Sequence, residues 1–228
     1  MKKVSIIKVE NQTSVKKSDW VEEEFDLKII VNGLEYRRIE YSGHQAAELC
    51  IGLLFVDGVI HHREDIKSIK TEKQRTRLEI QPGDKKVPKP RADYTLSTGQ
   101  ILRLMETFQR GSLDFQRTGG RHSVAIAVDG TVGPRFSDIS RHNGVLKLIG
   151  YTLLHDIPLS NKTIFLSCRI TASIVEKFCA CGAAALITNA AVSEKGIDLC
   201  KTSGIALAGF VRGNRMNVYV DTNLIYFK

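Results

Sequence analysis

The sequence predicts a mixed α/β protein, and three observations carry that expectation. After Pro158, short and continuously apolar strands alternate with helix-patterned segments. That alternation implies a partly parallel sheet covered by helices on both faces. Earlier in the chain, Asn32-Gly33 and Asp129-Gly130 each separate two strand-like runs, and such dipeptides suit the type I′ turn of a hairpin. Pro82 to Asp93 holds three of the five prolines and several lysines, which marks a linker or a mobile loop. It divides the chain into an N-terminal β-rich subdomain with one helix, residues 1–92, and an α/β core domain, residues 93–228.

Lys3 to Val9 alternates weakly and reads as an edge strand. Phe25 to Val31 and Leu34 to Tyr41 form the arms of the Asn32-Gly33 hairpin. From His44 to Val56, apolar residues at Ala47, Leu49, Cys50, Leu53 and Leu54 keep a helical period, with Gly58 as the stop. Ile66 to Thr71 and Thr76 to Gln81 read as a second strand pair. Thr98 to Phe108 has helical spacing and ends at Gly111. Val124 to Val128 and Thr131 onward form the second hairpin, and Val145 to Leu154 is helical. Beyond Pro158 come the strand Ile164 to Leu166, a helix from Thr171 to Cys181 closed by Gly182, and the strand Ala183 to Ile187. A helix from Glu194 to Thr202 closed by Gly204 follows, then strands over Ile205 to Val211 and Met216 to Val220.

The charge balance, 33 basic against 25 acidic side chains, gives +8. This fits an anionic partner, and it equally fits a chain made soluble by its charge. Aromatic and basic residues do not interleave as single-strand binders require, so nucleic acid is not the expected partner. Apolar runs are too short to span a bilayer, and the N-terminus turns charged again at Lys8 and Glu10. We therefore expect no membrane association and a cytoplasmic protein. Cys50, Cys168, Cys179, Cys181 and Cys200 are an odd number, include no C-x-x-C pair, and four of them sit in apolar patterns, so reduced thiols and no metal site are expected. The H-x-E and P-C-x-x-C residues of zinc deaminases are missing, as is a P-loop.

Two polar nodes flank the Val124 strand. The first is Arg117-Thr118-Gly119-Gly120-Arg121-His122, and the second is Asp138-Ile139-Ser140-Arg141-His142-Asn143 at the start of a helix. Paired glycines let backbone N–H groups approach a ligand, Arg donates in a fork, and a helix start favours anions. Two surface turns with solvated charges are the alternative. In open α/β sheets, ligands sit beyond the carboxyl ends of the strands. Those ends are Ser167-Cys168-Arg169, Thr188-Asn189 and Arg212-Gly213, a third polar node.

The motifs Arg117-Thr118-Gly119-Gly120-x-His122, Asp138-Ile139-Ser140-Arg141-His142-Asn143 and Lys147-x-Ile149-Gly150 resemble the formate dehydrogenase accessory protein family, FdhD. Ser167-Cys168-Arg169-Ile170-Thr171, Gly204-Ile205-x-Leu207-x-Gly209-Phe210-x-Arg212 and Asn217-x-Tyr219 extend the likeness. So does Gly52-Leu53-Leu54-Phe55-x-Asp57-Gly58-Val59-Ile60. The resemblance covers roughly residues 25 to 220. It implies a three-layer α/β/α mixed sheet related to cytidine deaminases, without their zinc. It also implies binding of the molybdenum bis-molybdopterin guanine dinucleotide cofactor, or a guanine nucleotide, by the core domain. The implied partners are formate dehydrogenase, a cysteine desulfurase and a second copy of the chain. On this reading the cofactor-binding residues are Arg117, Thr118, Gly119, Gly120, His122, Arg141, His142, Asn143, Ser167, Arg169, Thr188, Asn189 and Arg212. The family carries sulfur on a C-G-x-C-G loop, whose matching positions here are Thr98-Gly99-Gln100-Ile101-Leu102, with neither cysteine. Ser140, Leu146 and Cys168 also depart from the family pattern. Cys168 could stand in as the sulfur-carrying thiol if the neighbouring Arg169 lowers its pKa, or could merely fill a glycine site. The expected function is molybdoenzyme maturation, with or without sulfur transfer. A non-catalytic cofactor- or nucleotide-binding chaperone is the alternative.

Overall fold

The computed structural model describes residues 1–84, 89–90, 93–128 and 130–227. Part of the Pro82–Asp93 stretch, and Asp129 of the second hairpin turn, fall outside them. The chain opens on a hairpin, β1 (Lys2–Glu10) and β2 (Thr13–Val21), turning at Asn11 and Gln12 with φ of 46° and 64°. Only its first strand was expected. β2 is exposed along its whole length and has no apolar period for the sequence to reveal.

A four-stranded sheet follows, in the order β4-β3-β6-β5. Its strands are β3 (Phe25–Val31), β4 (Leu34–Tyr41), β5 (Ile66–Glu72) and β6 (Arg75–Ile80). The Asn32-Gly33 turn has φ of 47° and 81°, as a type I′ turn requires. The Asn32 amide then exchanges two hydrogen bonds with the Ile80 backbone, at 3.1 and 2.8 Å, and locks β3 beside β6 in parallel. The helix α1 (Ala46–Val56) covers this sheet with Leu49, Cys50, Leu53 and Leu54.

The core sheet has six strands, ordered β13-β12-β11-β10-β8-β9. These are β8 (His122–Val128), β9 (Thr131–Asp138), β10 (Thr163–Leu166), β11 (Ala185–Thr188), β12 (Ala206–Arg212) and β13 (Arg215–Val220). β10, β11 and β12 run parallel, and β8 and β13 flank them antiparallel. One face is covered by α4 (Arg141–Leu154), α5 (Ala172–Cys181) and α6 (Glu194–Ser203), through Val145, Leu148, Val175, Phe178 and Cys200. The other is covered by α2 (Thr98–Arg110), through Ile101, Leu104, Met105 and Phe108. Three layers result. Phe108, Phe165 and Phe178 are fully buried, each contributing about 1.5–3 kcal/mol through apolar burial. A short helix, α3 (Leu113–Thr118), leads into β8, and β7 (Leu96–Ser97) pairs in parallel with β14 (Ile225–Tyr226).

The two sheets are joined through α1 and α4. A Cβ built on Gly52 would lie 1.9 Å from the Leu146 carbonyl oxygen, and one on Gly150 would lie 1.9 Å from that of Glu48. The helices therefore meet backbone to backbone, and Leu146 packs in the N-terminal core.

Candidate functional site

The first polar node faces the N-terminal hairpin. Arg121 and Glu22, just past β2, form a buried ion pair at 2.8 Å. Thr118 Oγ1 donates to Glu22 Oε1 at 2.8 Å, and the Gly120 N–H donates to Thr118 Oγ1 at 3.1 Å. A Cβ on Gly120 would stand 2.9 Å from the Glu22 Cγ, so the glycine makes room for that side chain. Gly119 turns the chain with φ of 65°. The Arg117 guanidinium lies 5.6 Å from the centre of the Trp20 ring. These contacts brace the base of the hairpin.

The second node divides in two. Asp138, wholly buried, accepts from the Ser42 N–H and Oγ, from the Ser140 N–H, from Asn143 Nδ2 at 3.1 Å and from Lys147 Nζ at 2.7 Å. Burial pushes the Asp138 carboxyl up, but Lys147 and these N–H donors outweigh burial and hold it below its ordinary value. Asn143 also donates to the Glu40 carbonyl at 2.7 Å, so it belongs to this internal cluster. Lys147 answers Asp138, which leaves Arg141 outside that ion pair. Its Nε is buried without a hydrogen-bond partner.

Around Arg141 the positive charges gather. Burial, then Arg141 and Arg169, lower the pKa of His122. Burial, then Lys177 and Arg141, lower that of His142. Among the described residues, the charges that shift either imidazole are all positive. Two helix starts open here, because neither Ser140 at α4 nor Thr171 at α5 caps its helix with its side chain. By contrast, Ser97 and Ser193 do cap α2 and α6. Uncapped N–H groups and a positive helix end favour an anion.

The strand ends supply the floor. The Ser123 N–H donates to Ser167 Oγ at 2.8 Å, Thr188 Oγ1 donates to the Cys168 carbonyl at 2.7 Å, and Arg212 Nε donates to the Asn189 carbonyl at 2.7 Å. Ser167, Thr188 and Arg212 thus shape the loops, while Arg169 is exposed beside them. For Cys168, read either as a substitute thiol or as filling a glycine site, burial sets the thiol's pKa. The residue is 3% exposed, and burial pushes its thiol up to about 11, which Arg141 and Arg169 offset only in part. Burial defeats the neighbouring charge here.

Phe210 is a residue that sequence reasoning missed. It sits at φ of 51° in a β-bulge where the β12 register shifts against β13, and it is 37% exposed. An aromatic side chain held in the left-handed region is strained, and the bulge is what holds it there. Its sequence signal was its place in the Gly209-Phe210-x-Arg212 motif, which gave it no role in the site. Thr98, Gly99 and Gln100 form the first turn of α2, closed by reciprocal bonds between Ser97 and Gln100. A cavity of about 290 Å³ lined by Phe55, Ile149, Leu153 and Cys181 lies at the opposite end of α4 from Arg141. Among the described residues, no cluster of three His, Cys, Asp or Glu side chains is placed to hold a metal ion. No helix among them is long and apolar enough to cross a membrane.

Fold and site together define a three-layer α/β protein whose cationic loops crowd one end of its parallel strands. The chain belongs to the FdhD/NarQ family, whose model matches residues 22–91 and 79–226. It is 30% identical to the sulfur carrier protein FdhD of Bacillus licheniformis over 253 residues, covering 97% of this chain and 96% of that protein. The namesake protein of Geobacillus kaustophilus is also 30% identical, covering 98% and 97%. A protein of Desulfotalea psychrophila, whose crystal structure is described as a formate dehydrogenase accessory protein, superposes with a TM-score of 0.88. It has 22% identity, and the match covers 98% of each chain. Of the 228 residues here, 97% is about 221, so about 32 of the 253 positions aligned with the Bacillus licheniformis protein have no counterpart in this chain.

Proposed function

We propose that this chain is an accessory protein of formate dehydrogenase maturation that holds a phosphate-rich cofactor, without itself carrying sulfur. The observation that carries the first part is Arg141, with a buried and unpartnered Nε among His122, His142, Arg169 and Lys177 at two uncapped helix starts. An anionic group fits that set, since Arg141, Arg169 and Lys177 are positive and the imidazoles and helix-start N–H groups add neutral donors. A pterin guanine dinucleotide, or a guanine nucleotide alone, would present its phosphates to Arg141, Arg169 and the α4 and α5 starts. Phe210, partly exposed on β12 of the same sheet, offers a ring on which a base or pterin could stack.

The second part rests on the cysteines. Burial pushes Cys50, Cys181 and Cys200 up to about 12 and Cys168 up to about 11, and it raises Cys179 as well. A persulfide carrier works as a thiolate, and none of these thiols favours that form. We infer that the residues missing relative to the Bacillus licheniformis protein fall at the Pro82–Asp93 stretch, where the two family matches meet. The loop ahead of α2 would then be absent, rather than replaced by Thr98 to Leu102.

Calorimetry with GDP and with pyrophosphate tests the site. Arg141→Ala is expected to weaken both by about 1.5–3 kcal/mol, the value of a charged hydrogen bond. The melting temperature should stay unchanged, and Arg117→Ala should have little effect. No heat with either ligand at millimolar concentration would end this reading. Incubation with a cysteine desulfurase and cysteine should leave no persulfide detectable by mass spectrometry. A persulfide lost in Cys168→Ser would restore the sulfur-carrier role.

A further inference from the structure

The helices α1 and α4 cross backbone to backbone at Gly52 and Gly150. One turn past that crossing, Phe55 on α1 and Leu153 on α4 both line the cavity of about 290 Å³. Ile149, Thr152, Ile157 and Leu159 join them from α4 and the segment after it, and Cys181 from the end of α5. His61 and His62, which follow α1, complete the wall. The space thus lies where the helix of the first sheet meets two helices of the core sheet.

This cavity follows from how the helices cross. Two helices in backbone contact at one point separate on either side of it, and the glycine contacts leave no room for a closer approach. Thr152 and Cys181, at 3% and 7% exposed, are short side chains deep in the lining, where longer ones would fill the gap. Well-packed interiors leave few voids larger than a water. Small-molecule sites, by contrast, are largely apolar hollows with a few polar groups, set where packed units meet. At about 30 Å³ for each water in the liquid, the volume equals about ten waters, which suits a ligand of about ten non-hydrogen atoms.

The polar groups of the wall select the ligand's head. Thr152 Oγ1 donates to the Ile149 carbonyl at 2.9 Å, and the Cys181 thiol donates to the Lys177 and Phe178 carbonyls, each at 3.4 Å. His62 Nε2 meets the Asp84 carbonyl oxygen at 3.1 Å. The half-buried His61 ring has no hydrogen-bond partner among the described residues. An imidazole in its neutral form offers one donor and one acceptor, and a hydroxyl group answers either. Local charge disfavours an anionic head. The Asp65 carboxylate accepts from the backbone N–H groups of His61 and His62 at 2.6 and 3.1 Å, and the neighbouring Arg63 is tied to Asp156 at 3.0 Å.

We propose that this cavity binds a small neutral molecule with an apolar body and a single hydroxyl, of the phenol or short-alcohol class, held through His61.

Methyl NMR titrations of the full chain with p-cresol, toluene and p-toluate compare three heads on one ring. p-Cresol should shift the Ile149, Leu153 and Ile157 methyl signals and bind at least fivefold more tightly than the other two. Leu153→Trp fills the cavity from α4 and should weaken p-cresol at least tenfold. Ile157→Trp fills it from the following segment, with the same result expected, and serves if the first variant does not melt cooperatively. In His61→Leu, p-cresol should fall to the affinity of toluene, while toluene binds as before. Four outcomes overturn the proposal. They are methyl signals unmoved by millimolar p-cresol, binding that persists in the folded tryptophan variant, a p-cresol preference that survives His61→Leu, and p-toluate as the tightest of the three.

Discussion

His122 lies where burial and the Arg141 and Arg169 guanidiniums all oppose another positive charge, and burial, Lys177 and Arg141 do the same to His142. Both imidazoles titrate below 6.5 in the folded protein, whereas the unfolded chain takes up these protons near 6.5. Below that value the unfolded state binds more protons, so stability falls with pH. The contribution from the two neutral imidazoles is complete above 6.5 and is lost as pH falls through their lowered folded values. A bound anion gives each imidazolium a partner and opposes the loss. Melting curves from about pH 7.5 to about pH 5 should fall less steeply with saturating pyrophosphate, and less steeply again in His122→Asn with His142→Asn. If that double variant and the wild type share one slope, the histidines are not the cause. The sequence identified both histidines and Arg141 as members of polar nodes. It could not assign their roles, because Asp138 selects Lys147, nine residues away, and leaves the nearer Arg141 unpaired. Arg117 belonged to the same pattern, yet its partner is Trp20, on a strand the pattern did not reveal. Adjacency in sequence names the charges, and packing chooses their partners.

Helix ends were the best-read elements, because one residue type sets each of them. Gly182 and Gly204 close α5 and α6 with φ of 66° and 69°, where the sequence placed both stops. Two other glycines mean something different, and only the structure separates the cases. Gly58 has φ of 72° and open space around it, whereas Gly52 has an unremarkable φ and a carbonyl oxygen where its Cβ would be. Gly58→Ala should cost about 1 kcal/mol of backbone strain. Gly52→Ala must push α1 from α4, at about 3 kcal/mol or more, the upper range of overpacking. Urea denaturation of the two variants measures the difference, and equal midpoints would mean that the helix crossing gives way easily. Strand pairing was harder to read. The β3–β6 parallel pair joins residues almost fifty positions apart through Asn32, and the two-residue strands β7 and β14 are too short to show a period.

The Asp138 cluster binds the two sheets into one molecule, since Ser42 follows β4 of the first sheet while Asp138 ends β9 of the second. Its two charges are not equally exposed to loss of the other. Without Lys147, the Asp138 carboxylate keeps Ser42, Ser140 and Asn143 as donors. Without Asp138, the Lys147 ammonium keeps Ser42 Oγ and the Ser137 carbonyl as hydrogen-bond partners among the described residues, with the Tyr41 ring 5.9 Å away, in a wholly buried position. Breaking a buried pair on one side costs about 3–5 kcal/mol. Asp138→Leu should therefore reach that range, and Lys147→Met should fall short of it, as urea midpoints will measure. Lys147→Met has a further consequence for the site. It leaves Asp138 as an uncompensated carboxylate three residues before Arg141, whose Nε has no partner of its own. The guanidinium then gains an internal competitor for any ligand, since charges attract more strongly through the low-dielectric interior than through water. GDP binding to the folded Lys147→Met protein should weaken at least tenfold, although the substitution lies in the core and touches no ligand-facing atom. Binding unchanged in a variant that melts cooperatively would mean that Arg141 is aimed outward by its own loop, and not by the neutralised charge beneath it.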